Sequence, residues 1–264
     1  MCGRYASSRR PEDLVEEFEI EQSEVRETLA PDYNVAPTKE VYAVLSRPPS
    51  KEKERPAERQ LRVVTWGLVP FWAKDPSIGN RLINARVETV SEKPAFRRAF
   101  ASRRCLIPAD GFYEWYTPEA EEAEDSPEQT ESGRRKRRPR KQPFFIHHPD
   151  GSVLAMAGLY EIWRDPTKAD DDPERFRWTC TILTTNAQDD LGRIHDRAPL
   201  LVERDKYASW LDPTVSDPNL LGGLLVPAAP GRLEAYPVST LVNNVKNNGP
   251  ELVEPLAPEP QLPA

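Results

Sequence analysis

The chain opens MCGRYA, and Cys2 is the residue whose chemistry is most easily stated. Cysteine is small enough for the initiator methionine to be removed, which would leave an α-amine and a thiol on one residue. An α-amine titrates near about 7.7–8.0, so part of it is neutral at neutral pH. Attack of that amine on an aldehyde gives a Schiff base with loss of water. Addition of the thiol to the same carbon then closes a five-membered thiazolidine. The sugar of an abasic nucleotide equilibrates with an open-chain aldehyde and suits such a residue. On its own, position 2 decides little.

Other segments supply the groups that such chemistry needs. In RCLIPADGFYEW (104–115), Glu114 stands among Phe112, Tyr113 and Trp115, surroundings in which a carboxyl holds its proton to higher pH and can act as acid and base. Its alternative reading is a solvent-facing strand glutamate. In IHDRAP (194–199), His195 is the candidate proton carrier, since His147 and His148 fall in the turn-like HHPDG and are expected to face water. INARVETV (83–90) places Asn84 and Arg86 two apart, on one side of an extended segment. DYNVAPT (32–38) sets Asn34 before the turn-forming Ala-Pro37, and WGLVPFW (66–72) offers aromatic surface for core packing or for stacking on bases.

Elements must hold these residues together. PEDLVEEFE (11–19) begins with proline and acids and carries Leu14, Val15 and Phe18 on one face, as an amphipathic helix does. Strand patterns run over 41–46, 61–66, 104–107, 111–116, 153–160 and 178–184, and helical spacing over 92–100 and 205–211. Strands without regular helix alternation predict an α+β fold: a single domain around a curved, mostly antiparallel sheet or barrel with flanking helices. The domain is expected over 2–248, with solvated insertions at 47–60, 117–142 and 164–176 and a proline-rich flexible tail over 249–264.

The chain has 264 residues, 38% hydrophobic and 30% charged, with 28 prolines and a net charge of −7. The acidic balance argues against a nucleic-acid partner, yet the acids concentrate at 119–131 and 165–174, while Arg4, Arg81, Arg86, Arg193 and Arg197 lie inside the motif segments. A local basic groove is compatible with an acidic exterior. Three cysteines without paired spacing predict no disulfide framework, and neither a metal site nor another cofactor is expected. No apolar run reaches the roughly 20 residues of a membrane span, and no secretory signal opens the chain. A soluble, cytoplasmic protein is expected, associated with the nucleoid.

MCGR, YNVAPT, WGLVPFWA, INARVETV, RRCLIPADGFYEW, AGLYEIW, ILTTNA and IHDRAP, in this order from residue 2 to about 200, resemble the SOS-response-associated peptidase (SRAP) family. The resemblance implies a covalent sensor of abasic sites in single-stranded DNA, at replication forks among other places, acting as a monomer. Cys2 would form the thiazolidine, Glu114 would shuttle protons, His195 would help open the sugar ring, and Asn84 would hold Cys2 or the lesion. Arg86 and Arg197 would grip phosphates, with Arg4 and Arg81 adding to the basic groove. Trp66, Pro37 and Asn34 would contribute DNA-binding surface, and Thr184 would line the pocket. The family is also credited with self-processing that exposes Cys2, and a weak strand-cleaving lyase activity is compatible with the same chemistry. Where the family usually has His-x-Arg-Met-Pro, this chain has Ala198, which predicts altered strand geometry.

Two other classes fit parts of the pattern. An N-terminal-nucleophile cysteine peptidase or amidohydrolase also needs Cys2 with a free amine, and amidotransferases of that type begin Met-Cys-Gly. A non-covalent single-strand binder needs only the arginines and aromatics.

Overall fold

The computed structural model describes residues 2–48, 56–117, 141–188, 191–227, 229 and 231–256. In chain order the elements are β1 (Tyr5–Ser7), α1 (Pro11–Glu17), β2 (Gln22–Ser23), β3 (Asp32–Val35), β4 (Glu40–Arg47), β5 (Glu58–Trp66), β6 (Asn84–Arg86), α2 (Arg97–Ser102), β7 (Arg104–Ala109) and β8 (Gly111–Tyr116). These are followed by β9 (Gln142–His147), β10 (Leu154–Arg164), β11 (Phe176–Asn186), α3 (Leu191–Ile194), β12 (Arg197–Pro199), α4 (Tyr207–Leu211), α5 (Pro218–Gly222) and β13 (Glu234–Pro237).

Five strands close into a barrel. β4 pairs with β7 and β5, β10 pairs with β7 and β11, all antiparallel, and a short parallel pairing of β11 with β5 completes the ring. Alternation along each strand sorts the side chains. Val41, Ala43, Leu45, Val64, Trp66, Cys105, Ile107, Met156, Tyr160, Cys180 and Ile182 share the inner cluster. Tyr42, Val44, Leu61, Leu106, Leu159 and Leu183 face outward onto Leu14 and Phe18 beside α1, Phe100 of α2, and Trp210 of α4. Coverage on both sides explains why β4 and β10 read as nearly continuous apolar runs.

A second sheet, in the order β13-β9-β8-β1-β3, lies against one end of the barrel and seats the N-terminus. Tyr5 pairs with Phe112, so the segment ahead of β1 that carries Cys2 runs beside β8, which carries Glu114. Its other face packs Ala6, Tyr113, Phe145, Val238 and Val242. Leaving β5, the chain turns at Gly67, whose φ is +133; a Cβ there would stand 2.8 Å from the Gly79 carbonyl oxygen. That crossing returns the chain so that Trp66 Nε1 donates to the Ile83 carbonyl at 2.9 Å and β6 pairs in parallel with β11.

The α+β class, the single domain and the mostly antiparallel barrel with flanking helices match the expectation. Every predicted strand is present. The helix expected at 92–100 forms only over Arg97–Ser102, because the stretch around Pro94 makes turns instead. The strands β1, β3, β9, β12 and β13 were not anticipated: they are short, and their partners rather than their own composition define them.

The proposed loop boundaries shift. β4 and β5 run into the 47–60 segment, of which 49–55 lie outside the described residues, as do 118–140 of the 117–142 segment. The 164–176 segment closes the β10–β11 hairpin. The tail begins later than 249: Leu252 is buried, Val238 bridges Pro255, and the Leu256 amide donates to Pro237. Proline-rich composition hid these contacts, and 257–264 lie outside the described residues.

Candidate active site

Cys2 is fully buried against the end of the barrel, among Tyr5, Val35 and Trp66. Asn84, from β6, donates through Nδ2 to the Cys2 carbonyl at 2.8 Å, which fixes the N-terminal segment across the end of β11. The Asn84 Oδ1 is buried and has no hydrogen-bond partner among the described residues, so an acceptor is presented at the same place. Burial pushes the Cys2 thiol well up, and the nearby Glu114 carboxylate adds to the shift. The thiol is therefore protonated here at neutral pH.

Glu114 faces the same region from β8 and is 3% exposed. Burial raises its carboxyl from the ordinary 4.5 to about 7, with Asp196 pushing the same way. A carboxyl poised there can hold or release a proton near neutrality, which is what a general acid–base requires. Asp196 also acts on His195, and Lys141 acts on both Glu114 and His195, so the two candidate proton carriers share one electrostatic neighbourhood.

His195 follows α3 and is held from the backbone. The Arg197 amide donates to its Nδ1 at 2.9 Å, making Nδ1 the acceptor and leaving the proton of the neutral ring on Nε2. Asp196 Oδ1 also stands 2.9 Å from Nδ1, an approach that favours the ring only when it is protonated. Burial lowers the His195 pKa, so the neutral form is the one that the fold supports near pH 7.

The proposed DNA-binding residues divide into two sets. Arg81, in a 3-10 turn (Pro76–Arg81), and Arg86 are exposed, and Pro37 is half-buried in the turn before β4. The others are committed inside the protein. Asn34 is fully buried; its Nδ2 donates to the carbonyls of Asn244 and Asn247 at 3.0 and 2.9 Å, and its Oδ1 accepts from Arg4 at 2.7 Å. Arg4 also donates to the Val242 carbonyl at 2.9 Å. This pair staples the C-terminal segment to β3, with Asn34 buried and Arg4 half-buried.

Trp66 and Thr184 are likewise buried, at 0% and 1% exposure, so neither stacks on a base nor meets a phosphate from these positions. Arg197 is buried, and its terminal nitrogens bind Glu88 Oε1 at 2.6 Å and Oε2 at 3.0 Å, Asn186 Oδ1 at 2.7 Å and the Thr184 carbonyl at 2.6 Å. With those donors occupied, Arg197 serves as a strut rather than a phosphate grip. His147, expected in water, instead stacks on Phe145 with centroids 5.6 Å apart. Ala198 leaves β12 undisturbed, pairing with Thr185 in a regular register.

Two features escaped the reading of residues. Glu88, two positions beyond Arg86, anchors Arg197; the motif was visible but its partner was 109 residues away. The exposed aromatics of WGLVPFW are Phe71 and Trp72, at 48% and 49% exposure, not Trp66. Burial of Trp66, Leu68 and Val69 turns the last two aromatics outward, where Arg98 stacks over Phe71 at 4.1 Å from the ring centroid. Among the described residues no cluster of metal-ligating side chains is present, and no helix is long and apolar enough to cross a membrane.

A barrel whose end buries Cys2 beside a carboxyl raised by burial, with an oriented histidine in the same electrostatic neighbourhood, sets the class of fold and site to which this chain belongs. The pattern of the SOS response associated peptidase (SRAP) family matches residues 1–245, and the chain belongs to that family. It is 38% identical over 254 residues to the abasic site processing protein YoqW of Bacillus subtilis, covering 96% of this chain and 99% of the relative. It is 32% identical over 263 residues to the abasic site processing protein YedK of Escherichia coli, covering 97% and 100%. Among solved structures, a protein from Bacteroides thetaiotaomicron superposes with a TM-score of 0.75 at 24% identity, covering 97% of this chain and all of that one.

Proposed function

We propose that this protein processes abasic sites in DNA by forming a covalent thiazolidine through Cys2. The observation that carries the reading is the convergence on Cys2 of Asn84, which holds its carbonyl at 2.8 Å, and of Glu114, whose carboxyl titrates at about 7. The names of its relatives supply the substrate class.

Removal of Met1, by self-processing or by an aminopeptidase, converts the Cys2 nitrogen into a free α-amine. The neutral His195 relays a proton: its Nε2–H passes to the ring oxygen of the abasic sugar as the ring C–O bond breaks, and the proton released by the anomeric hydroxyl as it becomes the aldehyde returns to Nε2, so the imidazole ends neutral. The amine attacks the aldehyde carbon, and Glu114 delivers the proton with which water departs, leaving the Schiff base. The thiol then adds to the same carbon, its proton passing to Glu114 and the ring nitrogen becoming a secondary amine. One water is lost overall. Asn84 Oδ1, buried and without a hydrogen-bond partner among the described residues, would accept an N–H of the amine, and exposed Arg86 and Arg81 would supply charge for flanking phosphates of a single strand.

The site is tested by mixing protein of verified mass with an abasic single-stranded oligonucleotide and reading denaturing gels and intact mass. A complex heavier than the sum of its parts minus one water is not expected, and Cys2→Ala should abolish the adduct. Full, stable crosslinking by Cys2→Ala would overturn the covalent reading, and steady turnover of glutamine or peptides would favour an N-terminal-nucleophile hydrolase.

A further inference from the structure

The second end of the barrel is lined unlike the rest of this acidic molecule. Strand register identifies the lining. Arg47 lies two residues beyond inward-facing Leu45, Arg62 two before Val64, and Trp178 two before Cys180. Arg103 stands opposite Tyr160, whose amide donates to the Arg103 carbonyl at 2.9 Å. Residues two apart on a strand share a face, so all of these converge at one mouth. Trp178 stacks on Tyr160 with centroids 5.8 Å apart, and the guanidinium carbons of Arg47 and Arg62 stand 5.0 and 4.4 Å from the indole centroid.

Among the described residues arginines outnumber the carboxylates that meet them at this mouth, five to three. Arg47, Arg62 and Arg103 gather there, with Arg26 and Arg98 close enough to act on them electrostatically. The carboxylates that face them are Glu24, 3.5 Å from Arg62, Glu161, in contact with Arg103, and Glu58, opposite Arg47 in the strand register. Gln60 Oε1 also accepts two bonds from Arg62, at 3.0 and 2.9 Å. The Arg47 guanidinium has no hydrogen bond or ion pair among the described residues. A guanidinium stacked on an aromatic ring keeps its N–H edge open to a planar or tetrahedral oxyanion.

We propose that this mouth is a second contact for nucleic-acid phosphates, in which Arg47, Arg62 and Arg103 take the backbone of the strand whose lesion lies at the Cys2 end. The proposal rests on the reading of the protein as one that engages DNA. Continuity supports a strand over a free ion: Arg98 stacks on exposed Phe71 and acts on Arg103, so cationic and aromatic groups lead from the outer loop toward the mouth. The six residue-to-residue steps of β11 from Trp178 to Thr184 separate the two ends by roughly 20 Å at ~3.3 Å per residue.

The test compares a lesion-free single strand of about twenty nucleotides with a trinucleotide whose central position is abasic, which the lesion holds at the Cys2 end and which is too short to reach the second mouth. In Arg47→Gln/Arg103→Gln, affinity for the longer strand should fall about 10-fold at low salt and the salt slope should lose about two phosphate contacts, while the shorter strand is unaffected. Arg47→Lys, which keeps the charge, should recover part of the slope and controls for folding. Crosslinking of a short abasic oligonucleotide should stay at wild-type level in both; its loss in wild type would instead indict the proposed function. Unchanged affinity and slope for the longer strand would overturn the proposal, as would inorganic phosphate binding at this mouth with no response to the longer strand.

Discussion

Glu88 holds both terminal nitrogens of Arg197, at 2.6 and 3.0 Å, although Glu88 is nearly half exposed and Arg197 is 9% exposed. The relationship reaches the proposed chemistry through the backbone, because the Arg197 amide donates to His195 Nδ1. Glu88 thus acts as a positioning residue for the histidine tautomer.

In Glu88→Gln, the charge-assisted fork becomes at best a single neutral bond, and β12 loses its anchor. Adduct formation should slow about 10-fold with DNA affinity nearly unchanged, a split equivalent to about 1.4 kcal/mol in the barrier alone. Thermal stability should change little, since one partner is exposed. Stopped-time crosslinking at saturating DNA measures this. Equal losses of rate and affinity would assign Glu88 to DNA binding instead, and Glu88→Asp should restore part of the rate.

Glu114 gives a pH signature of definite sign. Its carboxyl binds a proton more tightly folded than unfolded, because burial raises it from 4.5 to about 7. Folding is therefore favoured most below about pH 4.5, and the stability from this residue is lost as pH rises through about 7. Glu114→Gln lacks that titration, so its Tm relative to wild type should climb between about pH 5 and pH 8. Parallel Tm curves across that range would contradict the burial-raised carboxyl. Adduct formation by Glu114→Gln should be depressed at every pH.

The exposed pair Phe71 and Trp72 should bind bases without supporting the fold. Stacking contributes about 1–3 kcal/mol per base, so Trp72→Ala should weaken lesion-free single-strand binding roughly 10-fold or more. Because nearly half of each ring faces water, the melting temperature should move little. Trp66→Ala should do the reverse, unfolding the barrel end by removing a fully buried indole. Fluorescence anisotropy and thermal melts on the two variants separate the roles.

How far residues alone reveal this protein follows from what kind of interaction each position makes. Cys2, Glu114, His195 and Asn84 stand out in the sequence because their signals are local: a terminal position, an aromatic setting and a two-residue spacing. The long strands are legible because alternation is a local signal. The internal partners of Arg4, Asn34 and Arg197 are not legible, for the opposite reason. An arginine or asparagine in a motif looks the same whether it meets a phosphate or a carbonyl, and their partners lie 11 to 238 residues away. The burial of Trp66 is equally hidden in the sequence, because which side chains of the seven-residue run turn inward depends on the crossing at Gly67 and Gly79, a contact that only the folded backbone creates.

Arg104 shows the same limit and yields the last prediction. It opens the strand pattern at 104–107, where nothing in the sequence marks its role, yet it is 2% exposed, and burial lowers its pKa to about 10. Its guanidinium donates to the carbonyls of Trp210 at 2.7 Å, Phe100 at 2.8 Å and Ala101 at 2.8 Å, and also to that of Asp212. These carbonyls end α2 and α4, where helices leave acceptors without internal partners. One planar cation therefore closes two helices onto β7, a task that neither lysine nor leucine can perform. Arg104→Leu leaves several buried carbonyls unsatisfied and should cost about 3 kcal/mol, whereas Arg104→Lys, keeping the charge but only one point of donation, should cost somewhat less. Denaturant unfolding of both variants measures the difference. Since Arg104 lies on the outer face of the barrel, away from Cys2, crosslinking by the folded fraction should remain at the wild-type rate; a slower folded fraction would mean that the helices it closes also set the geometry of the site.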